Sequence, residues 1–316
     1  MTAPTPLRVL YAGTPETAVP ALRALLDSPH EVVGVLTRPD APVGRRRVLT
    51  PAPVAVTAEE AGLPVLKADR LRGPEGADAL QAIRALEADV AVVVAYGALV
   101  PAEALQIPRH GWLNLHFCAL PAYRGAAPVQ RALMAGDTVV GASTFLLEAG
   151  LDTGPVLGTM TDEVRPDDTA GTVLERLSRT AAPLLADSLR AVVDGSARPA
   201  PQQGDVTHAP KLTAEDGRVR WSDPAVAVAH RVRGATPEPG AWTRLDERRL
   251  KLDLVLPRPD VRDLAPGRCV LRGDAVLVGT GSYAVQLTRV QPAGKKTMEA
   301  TAWARGRSTE EEVVFQ

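Results

Sequence analysis

The run Val90 to Ala95 within DVAVVVAYG constrains this chain more than any other stretch. Residues that are apolar on both strand faces need cover on both sides, which a sheet flanked by helices provides and a sheet with one wet face does not. The neighbouring sequence supplies that cover. LRVLYAG ends in Gly13 and is followed by TPETAVPALRALLDS, whose apolar spacing is helical; EVVGVLT, PVAVTAEEAG and PVL repeat the alternation, and GADALQAIRALEA leads into DVAVVVAYG. This pattern predicts an α/β fold with a doubly wound, mostly parallel sheet. Ligands of such sheets gather beyond the carboxyl ends of the strands, where Val94, Ala95, Tyr96 and Gly97 would lie.

A length of 316 residues implies about two domains, and 45% apolar with 23% charged residues is a soluble globular composition. Cys118 and Cys269 cannot build a disulfide framework or a Cys-rich zinc site, and the five histidines show no ligand spacing. A reducing compartment and no metal are therefore expected. MTAPTPLRVLYAG lacks a basic segment followed by a sustained apolar one, and no later run spans a bilayer. The expectation is a cytoplasmic monomer without a membrane partner.

Chemistry concentrates between Trp112 and Leu157. WLNLHF reads as a short strand with Asn114 and His116 two apart, hence on one face. ALPAYRGAAP follows, a loop shaped by Pro121, Gly125 and Pro128; then comes a short helix, VQRALMAG, and an apolar strand around Phe145 to Leu147. EAGLDTGPVL closes the stretch, with Asp152 on a turn between Gly150 and Gly154. An amide, an imidazole and a carboxylate without a nucleophile elbow suit direct acyl transfer to an amine. Asn and protonated His can hold an oxyanion, while a carboxylate orients the imidazole or accepts a proton through water. Plainer readings stand beside this one: a strand histidine is often a core residue, Asp152 alone fits an Asx turn, and Arg124 could simply pin its loop. Cys118 shares the strand parity of His116, which leaves contact between them open.

Asn114, His116, LPAYRGAAPVQ and GLDTGP together closely resemble the methionyl-tRNA formyltransferases, within the wider family that moves formyl groups from 10-formyltetrahydrofolate. The resemblance runs from YAGTPE to QPAGKK. It implies direct formyl transfer to the methionine amine of initiator methionyl-tRNA, with Asn114, His116 and Asp152 as catalytic trio. It also implies a folate site drawn from Val94, Ala95, Tyr96, Gly97, Cys118, Leu120, Pro121, Gly150 and Leu151. The family usually has Ser where this chain has Cys118.

TRPDAPVGRRRVLTPAPV, kept irregular by its prolines and Gly44, carries Arg45, Arg46 and Arg47. It resembles the family's insertion that contacts the acceptor stem, although Val48 stands near a usual Lys. TAGTVLERLSRTAAPLLADSLRAVV has a long helical apolar face, and DGSARPAPQQGDVTHAPKL reads as a surface linker. Beyond it, Ser222 or Asp223 could cap a short helix before Pro224, and short strands separated by Pro, Gly and Asp suggest a small barrel. The family places there an OB-like tRNA-binding domain whose end carries Lys295 and Lys296, though Glu238 stands where an aromatic is frequent. The expected partition is 1–197 catalytic, 198–212 linker and 213–316 tRNA-binding. From residue 208 onward, 18 Lys and Arg face 14 Asp and Glu, a weak basic bias in a chain of net charge -1. With only 3% aromatics, backbone electrostatics should outweigh base stacking.

YAGTPE admits a dinucleotide-binding reading but lacks G-x-G-x-x-G, which disfavours a dehydrogenase. A glycinamide ribonucleotide formyltransferase would leave the second domain and the arginine loop unexplained. A sugar-nucleotide formyltransferase competes more closely, and a non-catalytic tRNA-binding protein is the reading from another class.

Overall fold

The computed structural model describes residues 6–44, 46–307 and 313–316. Two compact units emerge: Met1–Ala126, Val140–Asp162 and Leu174–His208 form the first, while Ala127–Val139, Glu163–Val173 and Ala209–Gln316 form the second. Neither unit is a single run of sequence.

The chain begins β1 (Arg8–Gly13), α1 (Val19–Leu26), β2 (Glu31–Thr37), β3 (Ala41–Val43), β4 (Val48–Thr50), α2 (Pro53–Glu60), β5 (Val65–Lys67), α3 (Pro74–Ala85), β6 (Val90–Val94), α4 (Ala102–Leu105) and β7 (Trp112–His116). It continues with α5 (Pro128–Ala135), β8 (Val139–Leu146), β9 (Val156–Glu163), α6 (Ala170–Thr180) and α7 (Ala182–Val193). Seven strands form one sheet in the order β5-β2-β1-β6-β7-β8-β9. The first five run parallel, and β8 turns antiparallel to β7. All five residues of β6 are buried, as its unbroken apolar run demands. Trp112 anchors the start of β7, its ring buried and its indole N–H donated to the Ala104 carbonyl at 2.8 Å.

Three local expectations need revision. The segment around the arginines is not irregular throughout: β3 and β4 pair as an antiparallel hairpin with Pro42 opposite Leu49. Proline is tolerated there because a two-stranded ribbon is all edge. The helical face from residue 170 to 193 is interrupted at Ala181, and Pro183 lies in the first turn of α7. A proline lacks the N–H needed mid-helix but fits a helix start. Third, the stretch read as a linker is bonded along its length. Ala200 and Val156 exchange backbone hydrogen bonds of 2.8 and 2.9 Å, and Thr207 accepts from Arg124 N at 2.9 Å through its carbonyl and from Tyr123 N at 2.8 Å through its hydroxyl.

The second unit adds α8 (Ala225–Ala235), β10 (Ala241–Leu245), β11 (Arg248–Leu252), β12 (Val255–Arg258), β13 (Arg268–Arg272), β14 (Ala275–Val278), β15 (Ala284–Leu287), β16 (Arg289–Pro292), β17 (Met298–Glu299), α9 (Ala300–Arg305) and β18 (Val313–Val314). The strands form two sheets, β10-β11-β16-β17 and β12-β15-β14-β13-β18. Every pairing registered within them is antiparallel. Ala225, Val228, Ala229, Val232 and Ala235 form the buried stripe of α8, at helical spacing. Gly234 of α8 meets α5 closely: a Cβ there would sit 2.6 Å from the Gln130 carbonyl. Neither Ser222 nor Asp223 caps α8; the Ser282 hydroxyl accepts Ala225 N at 3.1 Å, and Asp223 instead pairs with Arg231 at 3.5 Å. Pro224 occupies the cap position, so the cap is supplied from elsewhere in the chain.

Candidate active site

β7 projects Asn114 and His116 from one face, locked by register: Asn114 lies opposite Val93 on β6 and Phe145 on β8, and His116 opposite Ser143. The strand ends at His116. Among the described residues the half-buried Asn114 side chain makes no hydrogen bond, which leaves its amide available to a ligand.

The His116 side chain is 9% exposed and packs edge-on to Phe145 at 6.4 Å. Its Nε2 lies 3.3 Å from the Tyr123 carbonyl; a carbonyl only accepts, so Nε2 carries the proton. The same nitrogen is 3.9 Å from Asp152 Oδ2. That spacing gives Coulombic coupling without a direct hydrogen bond. Burial pulls the imidazole below its ordinary range, opposed by the Asp152 charge and the Tyr123 carbonyl. Burial is the largest of these influences, so near neutrality the ring is neutral and acts through its N–H.

Asp152 reaches His116 from the opposite side of the sequence gap. Its backbone is left-handed, φ 52°, a conformation that Asp tolerates better than most residues. Oδ2 accepts the Gly125 N–H at 2.7 Å, tying the turn to the 121–125 loop. Gly154 makes the turn possible by close approach: a Cβ there would lie 1.7 Å from the Leu146 carbonyl oxygen. Gly154→Ala should lower the thermal midpoint of the first unit by about 6–12 °C, from an overpacking cost of about 3 kcal/mol. Scanning calorimetry checks this, and an unchanged midpoint would contradict the packing argument.

Gln202, from the stretch read as linker, bonds both sides of the site. Its Nε2 donates to the carbonyls of Asp152 (2.7 Å) and Gly154 (2.9 Å), while Oε1 accepts from Arg124 Nε (3.2 Å) and Nη2 (2.6 Å). Arg124 thus pins its own loop through Gln202. Cys118 buries its thiol and donates to the Ala122 carbonyl at 2.8 Å, bracing the same loop from inside.

The sheet edge after β6 alternates. Val94 and Tyr96 are buried, and the Tyr96 hydroxyl donates to the Ala68 carbonyl at 2.9 Å; Ala95 and Gly97 are exposed, with φ 49° and 87°. Any ligand here meets backbone and the small Ala95 and Gly97 rather than the Val94 or Tyr96 side chains. Thr14 fixes this edge by donating to the Tyr96 carbonyl at 2.7 Å, and Arg38 donates to the Gly97 carbonyl at 2.9 Å. Leu120 N donates to the Ser143 hydroxyl at 3.1 Å, Pro121 is buried, and Gly150 and Leu151 are exposed on the turn. A separate cavity of about 270 Å³ lies between α1 and α7, but none of its lining residues belongs to these segments. Convergent polar groups identify the site better than size does.

Arg46 and Arg47 are exposed in the turn between β3 and β4; Arg45 lies outside the described residues. Lys295 and Lys296 are exposed on the turn after β16. Thr14, Arg38, Gln202 and Thr207 had no place in the sequence-based site. Among the described residues no group of three His, Cys, Asp or Glu side chains could hold a metal ion, and no helix is long and apolar enough to cross a membrane.

Residues 7–189 match the Formyl transferase family, and residues 211–308 match the Formyl transferase, C-terminal domain, family. The methionyl-tRNA formyltransferase of Paenarthrobacter aurescens (strain TC1) is 59% identical over 310 residues, 98% of this chain and all of its own length. The chain belongs to the methionyl-tRNA formyltransferase family. Among solved structures, HypX from Aquifex aeolicus in complex with tetrahydrofolic acid superposes with a TM-score of 0.67 at 17% identity, over 99% of this chain and 51% of HypX. The N-formyltransferase from Helicobacter canadensis, in complex with folinic acid and dTDP-3-aminofucose, gives 0.68 at 13%, over 90% of this chain and 99% of its own. At such identities these likenesses speak for the formyltransferase fold alone.

Proposed function

We propose that this formyltransferase moves the formyl group of 10-formyltetrahydrofolate to the amino group of methionine on initiator tRNA, giving formylmethionyl-tRNA for translation initiation in the cytoplasm. The observation that carries the mechanism is the approach of His116 and Asp152, from one strand end and one glycine-flanked turn, to 3.9 Å, with Asn114 two residues before His116 on the same strand. The methionine amine attacks the formyl carbon and a C–N bond forms. The Asn114 amide donates to the oxyanion that develops, and the His116 Nε2–H turns to it from the long 3.3 Å contact with the Tyr123 carbonyl. As the carbon parts from the folate nitrogen, the proton shed by the amine passes to that nitrogen, with Asp152 as carrier through water. Neutral His116 serves as donor, so the protonated imidazole expected from sequence is not required.

Folate fits the exposed backbone at Ala95 and Gly97 and the turn at Gly150 and Leu151. The first unit, which takes in most of residues 1–197 and also the stretch to His208, acts as a doubly wound folate domain, and the second, which holds residues 213–316, as an OB-like tRNA-binding domain of a monomer. Arg46 and Arg47 on the hairpin turn, Arg45 before them in sequence, and Lys295 and Lys296 supply phosphate contacts. Arg244 and Arg249 add to them: they lie directly opposite on β10 and β11, both exposed, with the Arg249 guanidinium 4.1 Å from the centre of the Trp242 ring. Like charges placed opposite one another cost stability, which a polyanion would offset.

Alanine at Arg45, Arg46 and Arg47 together should lower kcat/KM for methionyl-tRNA at least about tenfold and flatten its salt dependence by about 0.7–0.9 for each phosphate no longer neutralised. Folate affinity should change little; equal losses for both substrates would reject the hairpin assignment. The overall reading is tested by offering initiator methionyl-tRNA, elongator methionyl-tRNA, glycinamide ribonucleotide and an amino sugar nucleotide side by side. Selective formylation of the first supports it, and preference for either small acceptor overturns it.

A further inference from the structure

We infer that Gln202 is a positioning residue for formyl transfer, holding Asp152 at its working distance from His116 by clamping both carbonyls of the turn to Arg124. This rests on the reading of Asp152 as proton carrier given above. The argument begins with the amide itself. Two guanidinium N–H groups need an acceptor and two carbonyls need donors, so only one orientation of the Gln202 side chain satisfies all four partners. Every donor and acceptor of the side chain is then engaged in joining two loops, with nothing left for a ligand.

The turn needs such a clamp. Asp152 adopts a left-handed backbone, which a non-glycine residue leaves readily unless its surroundings hold it. Its side chain is held through Oδ2 by Gly125 N, and its main chain by Gln202 through the carbonyls of residues 152 and 154. Arg124, next to Gly125, takes the other end of the same amide. The loop that supplies the Gly125 N–H and the turn that supplies the carboxylate are therefore coupled through one side chain. Backbone pairing of Ala200 with Val156, and the bonds of Thr207 to Tyr123 and Arg124, fix residue 202 from either side. Tyr123, whose carbonyl accepts from His116, belongs to the same loop. Losing the clamp frees the carboxylate relative to the imidazole, and a displacement on the order of 1 Å costs about 10²-fold in rate.

Gln202→Ala and Gln202→Glu separate the possibilities. Glu keeps an acceptor for Arg124 but cannot donate to the two carbonyls. Both variants should lose about 10- to 100-fold in kcat with KM for each substrate within about twofold. Both should also lower the titration midpoint of His116, read from its imidazole NMR signals, because the carboxylate that raises it has moved away. In an Asp152→Asn background, Gln202→Ala should have almost no further effect on kcat. Wild-type turnover in Gln202→Glu, or an unmoved His116 titration in both variants, would overturn the inference, as would losses that multiply fully with Asp152→Asn. If Asp152→Asn alone retains full turnover, the proton-carrier reading fails instead. If Asp152→Asn is inactive while both Gln202 variants are normal, only the positioning role fails.

Discussion

Asp152→Asn is expected to lower kcat by about 10²–10⁴-fold, the range in which a positioned proton carrier contributes. The substitution is nearly isosteric, and Asn tolerates the left-handed backbone that residue 152 adopts at φ 52°. Its side-chain oxygen can still accept the Gly125 N–H now bonded at 2.7 Å, so the turn should survive and the loss should report charge. The same variant has a signature in pH. Burial lowers the His116 midpoint and Asp152 opposes that effect, so removing the carboxylate lowers it further. A histidine whose folded pKa is depressed binds fewer protons folded than unfolded. Its contribution to stability is therefore full above the unfolded value near ~6.5 and is lost as pH falls below it. The loss on acidification should be steeper in the variant than in the parent. Imidazole NMR and acid denaturation follow both effects, and full turnover at neutral pH would remove Asp152 from the mechanism.

Asn114→Ala should cost about 10²–10³-fold in kcat with little change in KM, as expected when a donor serves the developing oxyanion more than the ground state. Its position makes the variant clean. The side chain makes no hydrogen bond to another described residue, so its removal strands no buried partner. The backbone register of β7 against Val93 and Phe145 does not depend on the side chain. The thermal midpoint should therefore stay within about 2 °C of the parent. A loss confined to KM would move Asn114 from transition-state stabilisation to substrate binding.

Sequence pattern carried the main lines of the fold because its signals were strong and local. Val90 to Val94 had no polar residue to turn outward, and period two put Asn114 and His116 on one face before any pairing was known. Other features depend on partners distant in sequence. Gln202 sits in a stretch with no hydrophobic period, yet bonds residues 78 and 50 positions away. Nothing local in PAPQQGD distinguishes it from Gln203. The hairpin around the arginines was hidden by prolines that exclude a central strand but not an edge. The break at Ala181 was hidden by an apolar stripe that two consecutive helices share as easily as one. At Cys118 the family's usual serine is replaced, and the thiol donates to the Ala122 carbonyl as a hydroxyl could. Sequence parity suggested a neighbour for His116, but the strand ends at His116 and the chain turns, with Cys118 N donating to the His116 carbonyl at 2.9 Å.

Direct passage of the formyl carbon from folate to amine, with no protein nucleophile between, is tested most plainly by withholding the acceptor. The enzyme is mixed with isotopically labelled 10-formyltetrahydrofolate alone, quenched over milliseconds to minutes and analysed by intact-mass and peptide mass spectrometry. The expected result is no added formyl group on the chain, with Cys118→Ala retaining transfer once methionyl-tRNA is supplied. A formyl thioester on Cys118, formed and consumed at the rate of turnover, would contradict it.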